Sequence, residues 1–237
     1  MEPEAREASA ITFLDGLPKN FGGILIGGYA VSAYGPPRFS VDVDLVFPEG
    51  VLDSAKSWVE ESGLVAEETM ASRSRDRRLT KFRISGQLLS ADLYFGGLRS
   101  RESAAEIDYE WIAERARTIY LDLTSGRTST QLSVARPEAL WTLKLLAGRA
   151  QDITDLFVIS ESPIDQSEVR SKLQSLHGPK VRQVMRRVVQ LVDSDAEYRD
   201  AVSRRSMGSP DLPRNRQKWQ AFRLTVKSIL SWIDAQP

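Results

Sequence analysis

The sequence predicts an α+β protein: a mixed β-sheet domain over residues 1–135, followed by an all-helical domain over 136–237. Two observations lead to this. Between residues 22 and 134, short apolar or alternating runs are punctuated by Gly, Pro and Ser, as strands and turns are. From Arg136 onward, apolar residues recur at helical spacing, and Pro137 suits a first helical turn.

Each element has its own justification. Residues 4–18 read as a short amphipathic helix ending near Gly16 and Pro18. "GGILIGG" (22–28) reads as a buried strand bounded by glycines, and "YAVSAYG" as a helix stopped by Gly35, Pro36 and Pro37. "RFSVDVDLVF" (38–47) alternates like a strand. "VLDSAKSWVEESG" (51–63) has helical spacing, and Gly63 suits its end. "RLTKFRI" and "LLSADLYF" flank Ser85, Gly86 and Gln87, a hairpin signal; "TIYLDL" and "TQLSVA" flank "TSGRTS" in the same way. One helical rhythm runs through "EALWTLKLLAGRAQDITDLFVI". Residues 166–177, 179–193 and 216–234 also read as helices, with a Gly/Pro-containing loop over 207–216. There is no internal repeat and no low-complexity tract.

Composition narrows the chemistry. With 237 residues, 41% hydrophobic and 27% charged, the chain falls among ordinary globular proteins with a real core. It has no cysteine, so disulfides and thiolate zinc sites are excluded. A single histidine, His177, argues against a His-rich metal centre and a Ser/His/Asp triad. Any catalytic acid or base is then expected to be a carboxylate or a lysine. His177 lies near a predicted helix end and reads as a capping or surface residue. No run approaches the roughly 20 apolar residues of a membrane span. The acidic start "MEPEAREASAITFL" lacks a signal-peptide layout, so a cytoplasmic protein with no membrane partner is expected.

The net charge of zero hides an asymmetry. Residues 166–237 hold 14 Lys/Arg against 7 Asp/Glu, and the rest of the chain holds 18 against 25. "SRSRDRRLTKFR" (72–83) carries six basic residues and one acid. Both fit a polyanionic partner; both also fit solvated helix faces and a charged edge strand.

The candidate site centres on "GGYAVSAYGPPRFSVDVDLVFP" (27–48). In an extended strand, Asp42 and Asp44 share a face with α-carbons roughly 6.5–7 Å apart, while Val41, Val43 and Leu45 turn to the core. Carboxylates so placed repel unless a cation lies between them, and hard divalent ions take oxygen ligands. Asp92, in "LLSADLYF", is the candidate third ligand if its strand lies beside 40–47. Alone, D-x-D on a strand reads as a polar face.

Its context adds phosphate chemistry. Gly27 and Gly28 sit between a strand and a helix, where glycine permits close backbone approach and free N–H groups can meet phosphate oxygens. Ser32 is on the first turns of that helix, and Arg38 lies between it and the D-x-D. Lys144 interrupts an apolar helical face, and Asp155, 11 residues on, shares that face if the helix is continuous. Lys144 then either neutralises a phosphate or extends to solvent. Arg149 and Asp152 read as a surface helix pair.

These motifs resemble the signature of the polymerase-β-like nucleotidyltransferase superfamily. The form "GGYA…R-x-S-x-D-x-D", with a later "K-x4-R-x2-D-x2-D-L" at Lys144, Arg149, Asp152, Asp155 and Leu156, is most similar to the AbiEii and MenT group. These are the nucleotidyltransferase toxins of type IV toxin–antitoxin systems. The resemblance covers residues 22–48, 88–95 and 137–157. It implies a Mg²⁺ or Mn²⁺ site at Asp42, Asp44 and Asp92, with these three and Lys144 as catalytic residues. It implies an NTP held by Gly27, Gly28, Ser32, Arg38, Lys144 and Asp155. An acceptor known in the group is the 3′ end of tRNA, and an antitoxin partner is implied. Two other readings stand beside it: nucleotidylation of a small molecule such as an aminoglycoside or of a protein side chain, and a non-catalytic nucleotide- or partner-binding module.

Overall fold

The structure, a computed structural model, describes residues 3–35, 40–74, 77–86, 89–122, 129–204 and 209–233. The chain divides into two compact units. One comprises residues 1–33, 37–99 and 106–136; the other comprises 34–36, 100–105 and 137–237.

The first unit carries, in chain order, α1 (Pro3–Gly16), β1 (Ile24–Ile26), α2 (Gly27–Ser32), β2 (Val43–Phe47), α3 (Leu52–Glu61), β3 (Val65–Ser74), β4 (Arg77–Ser85), β5 (Ser90–Phe95), β6 (Gly97–Arg99), β7 (Glu106–Asp108), α4 (Tyr109–Ala113), β8 (Ala116–Asp122) and β9 (Ser129–Ala135). Seven strands form one mixed sheet in the order β3-β4-β5-β2-β1-β9-β8, and β6 pairs with β7 separately. Within the sheet β2 runs parallel to β5 and β1 parallel to β9; the other pairs are antiparallel.

Period-two alternation sorts the central strands into two faces. Val43, Leu45 and Phe47 lie in register with Ala91, Leu93 and Phe95, and all six are buried. Phe47 and Phe95 stack at 5.2 Å between ring centroids, and Phe82 meets Phe95 edge-on at 5.9 Å. Lys56 of α3 lies over the Phe82 ring, so α3 covers this apolar face, and Trp58 of α3 in turn meets Phe13 of α1. The opposite face of the same strands presents Asp44, Asp92 and Tyr94.

The second unit is helical in its long segments: α5 (Pro137–Ala147), α6 (Ala150–Ile159), α7 (Gln166–Ser175), α8 (Pro179–Val192), α9 (Asp195–Arg204) and α10 (Pro213–Leu230). Trp141, Phe157, Tyr198, Trp219 and Phe222, drawn from α5, α6, α9 and α10, form an aromatic cluster with centroid spacings of 5.1–5.9 Å. On α8, Val181, Val184, Met185, Val188 and Val192 are buried at helical spacing, which sends the intervening arginines elsewhere.

Three expectations are corrected here and one unassigned stretch is placed. The strand expected over 38–47 spans only Val43–Phe47, and Val41, expected in the core, is 56% exposed. The single helical rhythm after Arg136 is two helices, broken at Gly148, whose φ of +56° lies in the left-handed region. The stretch after residue 194, given no element above, forms α9, which buries Tyr198, Ala201 and Val202 at helical spacing. Finally, α10 begins at Pro213, inside the expected loop, with proline in its first turn.

Candidate active site

The D-x-D aspartates and Asp92 are brought to one sheet face by strand register. Asp44 on β2 pairs with Asp92 on the parallel neighbour β5, so the two carboxylates leave the sheet side by side. Asp44 is half-buried and Asp92 is buried. Asp42 precedes β2 and is also half-buried. It stands there as part of the approach to the strand rather than as a strand residue.

Gly27 is shaped by Asp44. It opens α2 directly after β1, and Ile26 of β1 is the register partner of Asp44 on the antiparallel side. Gly27 has φ +70°, and a Cβ built on it would lie 2.0 Å from Asp44 Oδ2. No side chain fits there. The carboxylate therefore packs directly against backbone at the strand–helix turn, a close approach that only glycine allows. Gly28 is buried in the same short helix. Ser32 is its last residue rather than a first-turn residue, and its Oγ donates to the Gly28 carbonyl at 3.3 Å. Arg38 lies outside the described residues.

Two cations from β4 complete the face. In the β4–β5 pairing Arg83 lies opposite Asp92 and Lys81 opposite Tyr94. Lys81 Nζ donates to Asp92 Oδ2 at 2.5 Å, and the two side chains are only 8% and 9% exposed. Arg83 Nε donates to Asp92 Oδ1 at 3.1 Å from a more open position. The Arg83 guanidinium is held above its ordinary pKa, first by its hydrogen bond and charge interaction with Asp92 and further by the charge of Asp42. Asp42 thus acts on the same electrostatic neighbourhood as Asp92. Sequence reading overlooked Lys81 and Arg83 as site residues. The signal lay in the alternation of β4, where Thr80, Phe82 and Ile84 take the apolar face and leave Lys81 and Arg83 on the other.

The donor set fits a hard divalent cation: carboxylate oxygens from Asp42, Asp44 and Asp92, two of them on register-paired strands. Among the described residues, no three acidic or histidine side chains converge tightly enough to hold an ion as they stand. Asp92 has both carboxylate oxygens engaged, by Lys81 and Arg83.

In the helical unit, Lys144 and Asp155 meet, although not as expected. A continuous helix would hold residues 11 apart about 16 Å apart along its axis. The break at Gly148 folds α6 back, and Lys144 Nζ reaches Asp155 Oδ2 at 2.7 Å and Asp152 Oδ1 at 3.1 Å. All three residues are buried. Arg149 and Asp152 are more than a surface pair. The Asp152 carboxylate accepts the Arg149 backbone N–H at 3.1 Å, tying down the first turn of α6, and Arg149 Nε binds it at 2.8 Å. Burial alone would raise the Asp152 pKa; the charges and hydrogen bonds of Lys144 and Arg149 outweigh it and hold the carboxyl below its ordinary value.

The register-paired carboxylates of Asp44 and Asp92, set against the glycine turn, mark this sheet face as the candidate active site. The family model described as "Nucleotidyl transferase AbiEii toxin, Type IV TA system" matches residues 14–230, and the chain belongs to this family. It is a nucleotidyltransferase of a toxin family. Solved structures similar to it include JHP933 from Helicobacter pylori (14% identity, 99% of this chain and 94% of that one, TM-score 0.44). A putative nucleotidyltransferase from H. pylori also matches (15%, 98% and 96%, 0.44). So does the antibiotic-resistance factor ANT(2'')-Ia (15%, 99% and 97%, 0.38). No curated protein matches in sequence. Among the described residues no helix is long and apolar enough to cross a membrane.

Proposed function

We propose that this chain transfers NMP from an NTP to a hydroxyl of an RNA acceptor, the 3′ end of tRNA, with Mg²⁺ or Mn²⁺ as the metal, and that an antitoxin partner restrains it. The observation that carries the reading is the register pairing of Asp44 with Asp92, with the Asp44 carboxylate set against Gly27. Asp42 and Asp44 are the residues to hold the divalent ion, with Asp92 completing the set. A divalent ion held by these carboxylates would supply charge neutralisation for an in-line displacement at phosphorus.

The chain's own groups do the rest. The glycine backbone at 27–28, against which the Asp44 carboxylate is set, is the candidate approach for the triphosphate. Ser32 and Arg38 are the further candidates for nucleotide contact on this unit. Lys144, steadied by Asp155, is the candidate cation for a phosphate contact on the helical unit. The acceptor hydroxyl oxygen bonds to the α-phosphorus, the α–β bridging P–O bond breaks, and pyrophosphate departs. The hydroxyl proton passes to a carboxylate of the cluster, for which Asp92 is the candidate. The basic balance of residues 166–237 suits an RNA acceptor.

The test is incubation with each α-labelled NTP, Mg²⁺, and either total RNA, total protein or an aminoglycoside. Label entering a tRNA-sized band supports the reading. Label entering only protein or the small molecule replaces the RNA acceptor with that class.

A further inference from the structure

The Lys81–Asp92 pair has no counterpart in the chemistry above. Lys81 is not a surface lysine with its stem along the sheet: its side chain is 8% exposed and its ammonium is 2.5 Å from Asp92 Oδ2. The Tyr94 ring, 4.9 Å from Nζ, closes its other side. Alternation on β4 places it on the carboxylate face, while its neighbours Thr80 and Phe82 are buried on the other. The remaining oxygen of Asp92 is taken by Arg83 at 3.1 Å. An ion that uses both Asp44 and Asp92 therefore meets two cations already held by the Asp92 carboxylate. A divalent ion and an ammonium cannot share Oδ2 without strong like-charge repulsion in so buried a place.

We propose that Lys81 is a resident counter-ion of the third carboxylate, competing with the divalent metal for Asp92. This rests on the reading that the carboxylate cluster is the metal site. In the metal-free chain Lys81, together with Arg83, neutralises Asp92, which would otherwise stand as a buried negative charge beside the half-buried Asp44. When the metal enters, Asp92 exchanges from Lys81 to the ion. The exchange costs affinity for the bare ion. A metal-bound nucleotide offsets that cost, because its phosphates supply new anionic partners for the freed ammonium. Lys81 thus biases the site toward metal–nucleotide over free metal. It is a positioning residue acting through Asp92.

The experiment is Mn²⁺ binding, read as free Mn²⁺ by electron paramagnetic resonance, on the full chain without nucleotide. Lys81→Met is expected to bind Mn²⁺ at least about tenfold more tightly than wild type, about 1.4 kcal/mol. The gain is expected to vanish in the double variant Lys81→Met/Asp92→Asn, which a purely structural salt bridge would not produce. Lys81→Gln keeps the reach and loses the charge; it is expected to shift affinity in the same direction and serves if the Met variant does not fold. Unchanged or weaker Mn²⁺ binding in folded Lys81→Met or Lys81→Gln overturns the proposal. Asp44→Asn separates the two failures. If it abolishes Mn²⁺ binding while Lys81 variants match wild type, only this proposal falls. If it binds like wild type, the carboxylate metal site falls with it.

Discussion

Replacing Gly27 with alanine isolates the contact that shapes the site. Gly27 and Gly63 have almost the same backbone, φ +70° and +69°, but different surroundings. A Cβ at Gly63 meets nothing within 4 Å; one at Gly27 lies 2.0 Å from Oδ2, 2.7 Å from Cγ and 2.9 Å from Cβ of Asp44. Gly63→Ala therefore reports the left-handed backbone penalty alone, about 1–2 kcal/mol. Gly27→Ala adds an overpacking cost of about 1–3 kcal/mol, because the obstacle includes the Asp44 Cβ as well as its carboxylate. Rotating the Asp44 side chain cannot clear it, so β2 or α2 must move. Urea denaturation with an unchanged slope measures both variants. The expected difference between them is about 1–3 kcal/mol. Nucleotidyl transfer by folded Gly27→Ala is expected to drop about a hundredfold, the usual effect of moving a catalytic group by about an ångström. Gly63→Ala is expected to keep wild-type transfer. Equal stability of the two variants, with transfer intact in Gly27→Ala, would refute the reasoning.

Other outcomes follow from the helical unit. The Asp152 carboxyl is held below its ordinary value, so its stabilisation is present above the unfolded carboxylate pKa, about 4, and disappears as pH falls through the folded value. Asp152→Asn is expected to flatten the loss of stability below about pH 4, measured by denaturant unfolding across a pH series. Trp219, 7% exposed at the centre of the aromatic cluster, is expected to cost about 3–5 kcal/mol when cut to alanine. Calorimetry checks this; a change under about 1 kcal/mol would mean the cluster contributes little packing.

Much of the site was legible because it rests on short-range rules. The strand–glycine–helix punctuation around Gly27 and the two-residue period of the D-x-D are local, and the hairpin signal at Ser85–Gly86 placed Asp92 on a strand beside a charged one. What escaped depended on partners distant in sequence. The apolar rhythm runs unbroken through Gly148, and only its backbone, with Val184 and Val188 against it, shows where α5 stops. Lys144 and Asp155 were paired by a helix that does not exist; the bend supplies the contact instead. Lys81 reads as one charge in a basic run, since nothing local reveals that it stands opposite Tyr94, two residues from Asp92 on the same face. The sheet order, with β2 between β1 and β5, is long-range pairing that no window of sequence contains.

The central claim is that Asp44, paired in register with Asp92, carries nucleotidyl transfer. Its most direct test compares wild type with Asp44→Asn, an isosteric change, in single-turnover transfer from an α-labelled NTP to total RNA. Both proteins are first shown to be folded by matching unfolding curves. The account predicts label in a tRNA-sized product with wild type and a loss of at least about 10³-fold with Asp44→Asn, roughly 4 kcal/mol of transition-state stabilisation. Equal labelling by the two proteins would contradict it.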